Sequence, residues 1–70
     1  MGTITVNSSA VQAAMLNIGV GVNELAKRAK IATGTMSKLH KKDMRVFIPT
    51  ISRLAKALGV PVQSLIKEAQ

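Results

Sequence analysis

The chain has 70 residues, with 10 Lys and Arg against 3 Asp and Glu (formal charge +7), 47% hydrophobic residues and no Cys. These values bound it to one small folded domain, residues 1–70, and exclude disulfides, thiolate metal sites and the composition of a disordered chain. No run approaches the roughly 20 apolar residues of a membrane span and no basic-then-apolar leader is present, so neither membrane insertion nor secretion is expected, and the expected location is the cytoplasm.

Residues 2 to 7 include Thr3, Ile4, Thr5 and Val6, which are β-branched and alternate in polarity. This pattern reads as a short extended arm or as an edge strand, and an edge strand needs something to pair with. Asn7, Ser8 and Ser9 can each cap a helix, and Val11, Ala14, Met15 and Ile18 follow at helical spacing. The first helix is predicted over about 9–17, ended by Gly19-Val20-Gly21. The second is predicted over 22–29, with Val22, Leu25, Ala26 and Ala29 inward and Asn23, Glu24, Lys27 and Arg28 outward. After a break at Lys30, Ile31 and Ala32, the third is predicted over 33–41.

This third helix needs to bury only Met36 and Leu39. Its remaining residues are small, polar or basic, and Gly34 costs it nearly 1 kcal/mol relative to Ala, a sign that the exposed face has another use. Lys42 to Phe47 read as a connection, with Phe47, the single aromatic residue, expected to be buried. Pro49 suits the first turn of a fourth helix over 50–58, with Ile51, Leu54, Ala55 and Leu58 on one face and Gly59 as its left-handed terminator. Val60 and Pro61 lead into a fifth helix over 62–69, packed through Val62, Leu65 and Ile66. The expected fold is therefore all-α: five short helices with a short N-terminal extended arm.

Two helices that cross closely through a tight turn need a small residue at the crossing, an apolar plug in the turn, and apolar anchors three apart in the second helix. Ala26, Ile31, and the pair Met36 and Leu39 supply these, with Leu25 anchoring the first helix. This stretch resembles the Cro/C1-type helix-turn-helix domain of phage repressors and related bacterial regulators. The resemblance covers roughly Ser9 to Lys67 and includes Leu54-Ala55-Lys56-Ala57-Leu58-Gly59-Val60 as the ending of the family's fourth helix. It implies double-stranded DNA as partner, read by the third helix in the major groove. By position, it implies base contacts at Thr33, Gly34, Ser37 and Lys38. It implies phosphate contacts at Thr35 and in the following loop at Lys41, Lys42 and Arg45. The charge pattern adds Lys27, Arg28 and Lys30 as phosphate candidates.

The sequence departs from the family at three positions of the motif. Lys30 stands where Gly is usual, a place that asks for positive φ. Ala32 replaces the usual Ser or Thr cap, so the third helix is expected to be capped by Thr33. Gly21 replaces the usual cap of the second helix.

The resemblance implies a transcriptional regulator, expected to be a repressor that pairs as a homodimer through helix 62–69 or the N-terminal arm, with Ile4, Val6, Val62, Leu65 and Ile66 as candidates. An interaction module on the same scaffold, an antirepressor or antitoxin-like partner, is the competing reading. An apolar patch in place of an exposed positive face on the third helix would favour it. RNA binding has less support, because single-strand readers expose aromatic side chains for stacking. No catalytic set is present: Glu24, Asp43 and Glu68 are the only acids, and no phosphate-binding glycine loop occurs. An enzyme is not expected, nor is a metal or other cofactor, since His40 alone builds no imidazole cluster.

Overall fold

The N-terminal arm is a strand with a partner. The computed structural model describes residues 2–67. Their order is β1 (Thr3–Val6), α1 (Ser8–Ile18), α2 (Val22–Ala29), α3 (Thr33–Leu39), β2 (Met44–Phe47) and α4 (Ile48–Leu58), then a 3₁₀ turn over Val62–Leu65. β1 and β2 pair antiparallel, with Thr3 opposite Phe47 and Val6 opposite Met44. The all-α expectation is thus corrected: four α-helices pack with a two-stranded sheet, and the stretch read as a connection after Lys42 supplies one of its strands.

The fifth helix is also corrected. Residues 62–65 make one 3₁₀ turn, closed by Ser64 donating to the Pro61 carbonyl through both its backbone N–H and its hydroxyl. The chain then extends: Ile66 bridges to Val6, the Leu65 carbonyl accepts from Asn7 N–H, and Lys67 N–H donates to the Thr5 carbonyl. These bonds to β1 replace the i→i−4 bonds a longer helix would have made, and of the three apolar residues expected to pack, Leu65 alone is fully buried. The remainder of the predicted fifth helix, 68–69, lies outside the described residues.

The boundaries follow from local chemistry. Asn7 caps α1 by accepting from Ala10 N–H through its side chain, and Gly19 ends it at φ 70°. Gly59 ends α4 in the same left-handed conformation, at φ 72°. In α2, Glu24 lies in the first turn and Lys27 and Arg28 in the last, each sign favourable to the helix dipole.

Packing makes the frame. Leu25, Met36, Leu39, Ile51, Leu54 and Leu65 are the largest fully buried side chains, and they come from α2, α3, α4 and the 3₁₀ turn. Burying one such side chain contributes about 1.5–3 kcal/mol, several times the propensity lost at any one poor helix former. α1 joins this core through Val11 and Met15, while Ile18, expected inward, is 37% exposed and Leu16 is almost fully exposed. Phe47, expected inside, is half exposed. Strand alternation explains it: Val46 takes the inward position of β2, so its neighbour must face out.

Candidate nucleic-acid interface

The turn between α2 and α3 is built as the spacing predicts. Leu25, Ala26, Met36 and Leu39 are buried, and Ile31 plugs the turn at 9% exposure. Lys30 carries the positive φ, 57°, that the turn requires, and its N–H and that of Ile31 close onto the carbonyls of Ala26 and Lys27. A non-glycine residue in this conformation costs of order 1 kcal/mol, which the packing of the five buried apolar side chains outweighs.

α3 begins at Thr33 with Ala32 as its N-cap, and no side chain caps it. This corrects the expectation that Thr33 is the cap: Met36 N–H already reaches the Ala32 carbonyl at 2.9 Å, which places Thr33 inside the first turn. Thr33, Gly34 and Lys38 are exposed, and Thr35 and Ser37 are half-buried. A Cβ added at Gly34 would meet nothing within 4 Å, so the fold itself does not require glycine there. The exposed large apolar side chains, Leu16, Ile18, Phe47 and Ile48, all lie on other elements. The outward face of α3 is therefore polar and basic.

The helix stops at Leu39 rather than at Lys41. Lys41 and Lys42 N–H both turn back onto the Lys38 carbonyl, at 3.1 and 3.2 Å, so the two lysines leave the end of α3 in a tight turn. His40 sits in that turn and donates through Nδ1 to the Ser37 carbonyl at 2.9 Å, while its own carbonyl accepts from the Gln12 side chain on α1. The structure thus brings Lys38, Lys41 and Lys42 together at one end of the α3 face. Lys27 is exposed on α2. Arg45 lies on β2 and directs its Nε to the Thr3 hydroxyl at 3.1 Å, across the sheet.

Arg28 and Lys30, also expected at phosphates, have a second set of neighbours. They line a groove with Arg53 and Lys56 of α4, and Arg53 Nε donates to the Ala29 carbonyl at 3.2 Å. Arg53 and Lys56 were absent from the sequence-based site, and their i, i+3 spacing on the outer face of α4 was the one signal available.

Asp43 holds the basic turn in place, and it too was not among the predicted site residues. One carboxylate oxygen accepts from Ser8 N–H at 2.9 Å and Ser8 Oγ at 3.0 Å, and the other accepts from Lys67 Nζ at 2.8 Å. The hydrogen bond from the Lys67 ammonium, then those from Ser8, hold the Asp43 carboxyl down at about 2, and the same bond raises the Lys67 ammonium above its ordinary range. The segment between α3 and β2 is thereby tied to the start of α1 and to the extended segment after the 3₁₀ turn.

Two helices joined by a plugged left-handed turn, the second turning a polar and basic face outward, define a helix-turn-helix domain. The chain belongs to the family of Cro/C1-type HTH DNA-binding domains, which it matches over residues 13–67. No curated protein and no solved structure matches it. Family membership makes the chain a DNA-binding module of the kind used in transcriptional regulation, and not an enzyme. Among the described residues, no helix is long and apolar enough to cross a membrane.

Proposed function

We propose that the domain is a sequence-specific transcriptional repressor that works in the cytoplasm and places α3 in the major groove of its operator. One observation carries this reading: α3 buries only Met36 and Leu39 and leaves a polar face open, with Lys38, Lys41 and Lys42 at its end. Thr33, Gly34, Ser37 and Lys38 meet base edges. Lys38 donates to guanine O6 or N7, Thr33 and Ser37 bond to several bases, and Gly34 permits close approach without reading anything. Lys27, Thr35, Lys41, Lys42 and Arg45 meet phosphates.

No Asn, Gln or Arg stands on this face to give a bidentate base contact, so one domain reads its site weakly. Two copies acting together supply the missing discrimination, with recognition helices about one helical turn apart. The half-exposed Phe47 and Ile48 are the apolar surface proposed for pairing, and the N-terminal arm lies beside them: Ile48 Cδ1 is 3.3 Å from where a Cβ on Gly2 would stand. Val6, one of the pairing candidates on the N-terminal arm, is fully enclosed in its own core. Occupying an operator excludes other proteins from it, which is why repression is the direction proposed.

The test is selection from a pool of random duplexes, sequenced after binding at two salt concentrations, with sedimentation of the free protein. A two-fold-symmetric site is expected, weakened by Ser37→Ala and Lys38→Ala and by added salt. Salt-sensitive binding with no enriched sequence would overturn sequence specificity, and an enriched single half-site with a monomer in sedimentation would overturn the homodimer.

A further inference from the structure

We propose that the groove between the end of α2 and α4 is a second docking surface, one that receives an acidic polypeptide segment of a partner protein. Arg28, Lys30, Arg53 and Lys56 line a groove of about 320 Å³ together with Ala29, which is buried, and Ala57, which is half-buried. None of Thr33, Gly34, Ser37, Lys38, Lys41 or Lys42 lines it.

Most of the positive charge there has no acidic partner among the described residues. Glu24 pairs with Arg28 at 3.0 Å, and Asp43, the other acid among the described residues, is engaged by Ser8 and Lys67. Lys30, Arg53 and Lys56 therefore line the groove with no carboxylate against them among the described residues. Arg53 is also pre-positioned. Its Nε donates to the Ala29 carbonyl, which anchors the guanidinium beside the groove while its terminal amino groups have no partner among the described residues. A guanidinium held in this way loses little further freedom when it takes a carboxylate. Lys30 adds its ammonium from a backbone position that favours glycine.

The shape and lining of the groove select the occupant. A duplex backbone would bring hydrated phosphates and nothing apolar to cover Ala57, the half-buried alanine of the lining. A peptide with an aliphatic side chain between Asp or Glu residues covers Ala57 and pairs with the basic residues beside it at once.

The test is an amide-resolved NMR titration of the whole chain with the pentapeptide acetyl-Asp-Glu-Leu-Glu-Asp-amide, run in parallel with a random-sequence duplex. Saturable shifts are expected at Ala29, Lys30, Lys56 and Ala57. Lys56→Gln should weaken the peptide a few-fold and Arg53→Gln with Lys56→Gln about tenfold, with duplex affinity unchanged. Lys56 makes no hydrogen bond or ion pair among the described residues, so the single variant keeps the test valid if loss of the Arg53 bond lowers the melting temperature of the double one. Peptide shifts that spread over all basic residues, or that centre on Lys38 to Lys42, would overturn the proposal. So would displacement of the peptide from the groove by the duplex, which would make the groove part of the DNA face. These outcomes are independent of the operator selection above, which reads duplex binding and not the peptide.

Discussion

The helical frame and the strand seam are held by different forces. α2, α3 and α4 meet through Leu25, Ala26, Met36, Leu39, Ile51 and Leu54, all buried and none polar. The seam joins β1, β2 and the segment after the 3₁₀ turn, and its side-chain ties are polar: Asp43 to Ser8 and Lys67, Arg45 to Thr3. Val6 and Val46 are the buried apolar side chains the two strands bring to the seam. The frame should therefore respond to volume and hardly to pH, whereas the seam should respond to charge. The basic turn that carries Lys41 and Lys42 hangs between the two, so DNA binding depends on both.

The largest effect expected is in the frame. Met36→Ala removes a fully buried side chain from the helix that faces DNA and should cost about 2–5 kcal/mol, enough to unfold much of a domain this small. Denaturant titration measures it, and a loss below 1 kcal/mol would mean that the α2–α3 contact is looser than its burial implies.

The seam is tested through Asp43. Its carboxyl titrates at about 2 in the folded chain against 3.8 unperturbed. Because the folded value is the lower one, the stabilisation is present above pH 3.8 and is lost as pH falls through about 2. The melting temperature should fall across that window in the native chain. With Asp43→Asn the fall should flatten, and the melting temperature at neutral pH should already be lower, because the amide must turn its NH₂ toward either Ser8 or Lys67, both donors. DNA affinity should fall with it, since Lys41 and Lys42 lose their anchor. An unchanged acid limb in the variant would remove Asp43 from the account.

The smallest effect separates backbone from side chain in the frame. Lys30→Gly relieves the left-handed strain and should stabilise the domain by about 1 kcal/mol, raising the melting temperature by roughly 4–8 °C. A gain of that size accompanied by weaker binding of the acidic pentapeptide would show that the side chain serves the groove at the expense of the turn.

The frame was readable because its signals are local. Leu25, Ala26, Ile31, Met36 and Leu39 stand within one short stretch at spacings that helices and a tight turn impose, and the positive φ at Lys30, Gly19 and Gly59 follows from helix endings. The polar face of α3 came with them. The seam was not readable, because four residues of β2 show no period and their partner lies some forty positions earlier in the chain. For the same reason Phe47 was placed inside: an aromatic residue in an apparent connection is judged by type, and only the strand decides which way it points. Asp43 looked like a loop acid until Ser8 and Lys67 were brought to it. Arg53 and Lys56 were visible as outward charges on α4, but nothing local tells that the end of α2 brings Arg28 and Lys30 alongside.

The bonds from Lys67 N–H to the Thr5 carbonyl and from Asn7 N–H to the Leu65 carbonyl join the two ends of the described chain side by side. In kinetic terms these are the contacts of greatest sequence separation, and closing so long a loop is rewarded only once the helices have already shortened the distance. The frame should then assemble first and the ends zip last, so substitutions in the seam should speed unfolding while leaving the folding rate almost untouched. The same order, run backwards, makes release of the two ends the first step by which the basic turn beside the recognition helix comes loose.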